Sequence, residues 1–338
     1  MSDKLPTREE YRKEKVEENK TGTKKVPEQK KEIWKEKNKG QKKFDEIDNM
    51  ESANDFYEDK RLVKQVKKKK RRFRKWVVFL LFIFFLLILI GSSIGIYIWL
   101  HDNNDIKNLQ NDVVDDTNVN EKEDNENTEN INPPENMDDD YWNYIKMNLL
   151  EVDFNDLLEK NSDTVGWIQV KGTNINYPIV QTTDNDYYLD HAFDKTENKA
   201  GWVFMDYRNN PVDFNQNTII YAHSRYNGTM FGSLKNILNS SWYTNKENHI
   251  IRLSTPTENT MWQVFSVYTI EKESYYITPS FSSTESYQNF LNTIKGRSEV
   301  DFSGTVNTGD KVLTLSTCKD NFGNRIVMHA KLIKKEIR

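Results

Sequence analysis

One cysteine and five histidines are the side chains of this sequence best suited to nucleophilic or proton-transfer chemistry near neutral pH. The cysteine, Cys318, stands where the apolar, β-branched run Val312–Thr317 gives way to the polar stretch KDNFGN at 319–324. A thiol titrating near 8.5 is mostly protonated at neutral pH, so it attacks well only beside a base or a cation. A lone cysteine is also a common small core hydrophobe. Three features favour a nucleophile here: the strand-end position, the lack of a disulfide partner, and Arg325 at the start of the next alternating run, a cation suited to holding a thiolate.

The histidines differ in their setting. His101 borders a long apolar run and His249 opens a strand after a polar turn, so both are expected on the surface. His329 alternates within the last strand and His191 lies in the polar stretch 187–194, where structural hydrogen bonds are expected. His223 follows the apolar run 218–222 and opens the loop SRYNGT, the same placement as Cys318. Two readings of it stand: a catalytic acid and base, or a core or capping residue.

The elements that must position these groups begin at Tyr141. Residues 141–158 place Tyr141, Ile145, Leu149, Val152 and Leu157 at helical intervals, which predicts an opening helix. Strands are then expected at 165–170, 174–180, 201–205, 218–221, 249–253, 261–270, 312–317 and 325–333, with helices at 230–238 and 284–295. In the second helix Tyr287, Phe290, Leu291 and Ile294 share one stripe. Eight short strands with turns between them favour a mostly β barrel or sandwich over a parallel α/β sheet.

Composition divides the chain into four segments. Residues 1–75 hold 26 basic and 16 acidic side chains with no apolar periodicity, the mark of a disordered basic tail. Residues 76–100 carry no charge and are long enough for a transmembrane helix. Nine basic residues in the twelve before that span, against an acidic far flank, predict a cytoplasmic N-terminus and an outer C-terminal domain. Residues 101–140 hold two lysines against 14 acids and read as an extended acidic stalk, and 141–338 as a globular domain. The overall net charge of −4 therefore combines opposite tails and gives no signal for nucleic acid.

The motifs also match a known family. TLSTC at 314–318 resembles the TLxTC signature of sortases, the cysteine transpeptidases of Gram-positive surfaces, Tyr221-Ala222-His223 resembles their strand-end histidine, and RIVMHAK at 325–331 resembles the strand bearing their arginine. Stretches 165–181, 184–189, 201–208 and 230–234 are similar to the class B branch, so that the resemblance covers about 141–338. Ala222 departs from it, standing where many relatives have glycine.

The resemblance implies a closed eight-stranded β-barrel with an N-terminal helix and a helix between the sixth and seventh strands. It also implies Cys318 as nucleophile, His223 as proton carrier and Arg325 as oxyanion or substrate-backbone stabiliser, with no metal and no other cofactor. Asp320 would be an accessory group orienting His223, or else a turn-capping aspartate. Ser316, Thr317 and Tyr276 would bind substrate, packing being the other reading of Tyr276. The implied partners are secreted proteins with a C-terminal sorting motif and an acceptor amine, on a peptidoglycan cross-bridge, a lipid-linked precursor or a pilin lysine. Two rival readings remain: a sortase of another class, and a membrane-tethered binding module without activity. A papain-like peptidase is disfavoured because the histidine precedes the cysteine.

Overall fold

The computed structural model describes residues 53–133, 139–317 and 323–338. Cys318, Asp320 and residues 1–52 of the expected basic tail lie outside them. The chain falls into two units, 1–91 and 92–338. In the first, the described residues belong to α1 (Ala53–Asp116), whose later turns belong to the second. Within α1 the side chains of 76–82 are exposed to the last one, with no protein cover over the apolar window. A helix this long and apolar can cross a bilayer, since its backbone groups are satisfied internally.

The second unit continues through β1 (Val119–Lys122), β2 (Thr128–Asn130), α2 (Asp139–Tyr144), β3 (Leu149–Val152) and α3 (Asn155–Lys160). The barrel strands follow: β4 (Thr164–Val170), β5 (Asn176–Val180), β6 (Phe204–Met205), β7 (Asn217–Ala222), a short α4 (Ser240–Tyr243), β8 (Ile250–Ser254) and β9 (Glu258–Glu271). Helix α5 (Thr284–Gly296) then leads to β10 (Val312–Thr317) and β11 (Asn324–Ile337). The order β10-β7-β6-β5-β4-β8-β9-β11, closed by β10 pairing with β11, is an eight-stranded mixed barrel with a helix between its sixth and seventh strands, as the resemblance implied. Strand β2 adds to β11 outside the closure.

Strands β4 and β9 bury Trp167 and Trp262, and the segment leading into β6 buries Trp202, all fully. The expected stripe of α5 is the face it buries, against Phe265, Tyr268, Val312 and Val327. Ser283 begins that helix by accepting from the Ser286 backbone N–H, with Ser286 reciprocating.

Three expectations are corrected. The opening helix is broken: residues 141–158 form α2, β3 and part of α3, although Tyr141, Leu149, Val152 and Leu157 are buried as expected. The carbonyls that would continue α2 are used elsewhere, those of Ile145 and Met147 accepting from the buried Lys334 Nζ at 2.7 and 2.9 Å and that of Asn148 from Arg252 Nε at 2.9 Å. The acidic stretch does not run out as a stalk. Over 101–133 it forms the end of α1, then β1 and β2, with Ile106 and Val113 buried. Basic residues of β11 remove the repulsion that would extend it: Lys335 pairs with Glu129 at 3.3 Å and Lys334 with Asp124. The helix expected at 230–238 is only a 3-10 turn at Gly232–Asn236. Met230 before it is left-handed (φ 53°), and a Cβ on Gly232 would stand 2.1 Å from the Arg225 carbonyl, so the chain is folded too tightly for an α-helix to begin.

Candidate active site

Strands β7 and β10 run parallel in register, and their last pair is Ala222 with Thr317. The residues that follow this pair in the sequence are His223 and Cys318. A parallel pair brings both chain ends to one rim of the barrel, which is why two strand-end residues 95 positions apart can serve one site. Strand β11 returns antiparallel to β10 and begins at the same rim, carrying Arg325 opposite Ile270 of β9.

His223 is held from outside the barrel. Its Nε2 lies 2.7 Å from the Leu189 carbonyl, which can only accept, so Nε2 carries the proton and Nδ1 is the unprotonated nitrogen of the neutral ring. Burial holds its pKa below the ordinary range, against the opposing pull of the Leu189 carbonyl, so the ring is neutral at pH 7. The Leu189 turn is fixed in turn by Gly201, whose left-handed φ of 57° brings it so close that a Cβ would stand 2.4 Å from the Tyr188 carbonyl. On its other side the His223 carbonyl accepts from Phe231 N at 3.0 Å, and the left-handed Met230 is fixed by its N–H donating to Tyr177 Oη at 2.7 Å.

Arg325 is held from below. Its Nη1 donates to Tyr276 Oη at 3.3 Å, the tyrosine hydroxyl reaches Ser316 Oγ at 3.1 Å, and Ser316 donates to the Thr317 carbonyl at 3.3 Å. Thr317 Oγ1 accepts from Ile326 N at 2.9 Å, joining the end of β10 to β11. The guanidinium Nε is buried and no described residue accepts from it. Tyr276, Ser316 and Thr317 are themselves buried, and in this structure they support the arginine and the strand end from beneath.

The residues that fix this support were not singled out in the sequence. Asn217 donates through Nδ2 to the Tyr276 and Thr278 carbonyls, both at 3.0 Å, which leaves Oδ1 to accept from Thr314 Oγ1 at 2.6 Å. Thr314 then accepts from His329 Nδ1 at 2.8 Å, and His329 Nε2 accepts from Tyr268 Oη at 2.8 Å. Asp206 accepts from Tyr221 Oη at 2.9 Å and from Arg208, whose Nη2 also donates to the Ile277 carbonyl at 2.9 Å. Burial pushes the Asp206 carboxyl up, but these hydrogen bonds prevail and hold it below the usual carboxylate range. Leu189, Asp206 and Arg208 lie in the stretches 184–189 and 201–208 that carried the family resemblance, which gave them no role, and nothing in the sequence marked Asn217.

The remaining histidines have partners of their own. His191 is bonded to the Tyr187 carbonyl at 2.8 Å, a structural role as expected. His101 is exposed and paired with Asp105 at 2.7 Å. His249, expected on the surface, is instead buried beside Trp242 and Phe302 and bonded to the Tyr243 carbonyl at 2.9 Å.

Comparison with known proteins agrees with this architecture. Residues 168–333 match the family model of the Sortase domain. The chain is similar to sortase B of Staphylococcus aureus, 37% identical over 184 residues that make up 54% of this chain and 75% of that protein. It is likewise similar to sortase B of Listeria monocytogenes, 35% identical over 183 residues, 53% of this chain and 74% of that one. Among solved structures, sortase B from Bacillus anthracis superposes with a TM-score of 0.57 at 34% identity, covering 70% of this chain and 99% of that one.

Proposed function

The chain belongs to the sortase family of cysteine transpeptidases and is of the class B type, and from that premise we propose that it is anchored in a membrane by residues 76–100 and joins secreted proteins to a surface amine through a thioester on Cys318. The observation that supports this reading is the in-register pair Ala222 and Thr317, the residues immediately before His223 and Cys318 in the sequence, at the end of the barrel where β11 begins with Arg325 close behind.

The neutral His223 ring takes the thiol proton on Nδ1, leaving a thiolate beside an imidazolium. Sγ attacks the carbonyl carbon of the sorting motif's threonine, and the carbonyl oxygen becomes an oxyanion within reach of Arg325. The scissile C–N bond breaks as His223 returns its proton to the leaving amine, and a thioester remains. An acceptor amine then attacks that thioester, His223 removes its proton, the new amide forms and Cys318 leaves as thiolate. The thioester keeps the acyl group activated between the two halves. Asp320 is proposed as an orienting partner of His223, and Ser316, Thr317 and Tyr276, all buried, as the floor beneath the substrate that braces Arg325.

The basic run at 64–75 before the apolar span supports an N-terminus on the cytoplasmic side and a catalytic unit outside. Acceptors of the proposed kind are a peptidoglycan cross-bridge amine, its lipid-linked precursor, or a pilin lysine.

The test incubates the protein with a library of LPxTG-like and NPxTx-like peptides, with and without an amine, and follows protein and products by mass spectrometry. An acyl adduct on Cys318 that the amine resolves is expected. If no peptide acylates the protein and Cys318 alkylates no faster than a free thiol, the tethered binding module becomes the better reading.

A further inference from the structure

Beside the loop that follows His223 lies an open cavity of about 620 Å³, walled on one side by the last turns of α1 and on the other by residues 227–229 and Asn174, all within the unit 92–338. Six primary amides line it: Asn103, Asn104, Gln110, Asn111, Asn174 and Asn227. Lys107 is the only charged residue among the lining, and Trp99 supplies an aromatic ring at the edge where the apolar run ends.

Asn103 is the informative member. It is 92% buried, with a relative exposure of 8%. Its Oδ1 accepts from Arg225 Nη2 and from Asn227 Nδ2, which fixes the orientation of the amide because both neighbours can only donate through those atoms. Its Nδ2 is therefore defined as a donor, and no described residue accepts from it. A buried amide N–H without an acceptor costs free energy unless a ligand or water supplies one.

The lining defines the ligand's chemistry. A phosphate group would call for several cations, and Lys107 is alone. An acyl chain would call for continuous apolar walls, and only Trp99 and Leu100 among the lining side chains are apolar. Each primary amide both donates and accepts, which matches hydroxyl groups that do the same, and an indole ring provides a flat apolar surface for the C–H face of a sugar ring. We propose that this cavity is a second binding site, separate from the catalytic rim, for an uncharged saccharide. Its place beside the end of the apolar run suits two sources of that chemistry, a glycolipid headgroup or a wall glycan.

The test uses the full chain in lipid nanodiscs. Titration with N-acetylglucosamine trimer, read by ligand-observed NMR, probes a soluble glycan. Diglucosyl-diacylglycerol nanodiscs, compared with phosphatidylglycerol alone, probe a glycolipid. Asn103→Asp keeps an oxygen for Arg225 and deletes the orphan donor, and is expected to weaken saccharide binding about tenfold, the worth of one buried hydrogen bond. The exposed pair Asn104→Ala and Asn111→Ala provides a second variant that leaves the core untouched. Peptide cleavage by all variants should stay at the wild-type rate, which separates this site from the proposed reaction. Binding in either arm that the variants weaken supports the site and names its source. No saccharide binding in either arm, or binding that both variants leave intact, overturns it.

Discussion

Two histidines of this protein, His329 fully buried and His223 half-buried, are both held neutral by desolvation, yet their ring nitrogens are used differently. His329 sits in the barrel wall with each ring nitrogen committed, Nδ1 to Thr314 and Nε2 to Tyr268, both at 2.8 Å. His223, at the end of β7, commits only Nε2, to the Leu189 carbonyl at 2.7 Å. Burial lowers both, His329 to about 3. A depressed pKa alone therefore does not identify a catalytic base. What distinguishes them is that no described residue bonds Nδ1 of His223, whereas both ring nitrogens of His329 are taken.

Substitution separates the two roles most sharply. His223→Ala should lower peptide cleavage about a thousandfold or more while thermal unfolding changes little, as kinetics and calorimetry on the same sample would show. A rate loss that merely tracks lost folded protein would remove the distinction. His329→Ala should do the reverse, costing about 2–4 kcal/mol of stability through the cavity and the stranded Tyr268 and Thr314 hydroxyls, with turnover per folded molecule retained.

Acid should expose His329 next. The unfolded ring binds a proton near pH 6.5 and the folded one only near 3, so its contribution to stability is complete above about 6.5 and is lost as pH falls toward 3. Chemical denaturation between pH 7 and 4 should show stability falling with acid, and His329→Gln should flatten that slope. An equal slope in wild type and variant would place the titration elsewhere.

The smallest expected effect concerns the arginine's support. Tyr276→Phe removes the oxygen that accepts from Arg325 Nη1 at 3.3 Å and bonds Ser316 at 3.1 Å. Turnover should fall about tenfold with KM nearly unchanged, and stability by about 1 kcal/mol. A larger rise in KM than fall in kcat would instead assign Tyr276 to substrate binding.

Much of this was legible in the sequence. Runs of four to ten residues placed all eight barrel strands, Val312–Thr317 to the residue, because alternation and β-branching report strand burial directly. The stripe on α5 was equally plain, since four buried side chains at helical spacing admit one reading. Charge misled the reading of 101–133, because repulsion within a stretch is visible in the sequence whereas the lysines of β11 that neutralise it lie some 200 residues away.

By itself, the sequence determined the inventory and the order: one thiol, a histidine and an arginine at strand ends, an apolar span, and a barrel's worth of alternating runs. These are local properties, fixed by side-chain type and spacing along the chain. Only the tertiary structure decided that Ala222 meets Thr317 in register, that Leu189 takes one nitrogen of His223, that Asn217 and Tyr276 brace Arg325, and that Asn103 is left with a donor facing no protein acceptor. Hydrogen bonds between distant residues depend on distances and angles that closure of the barrel sets, and no local pattern encodes them.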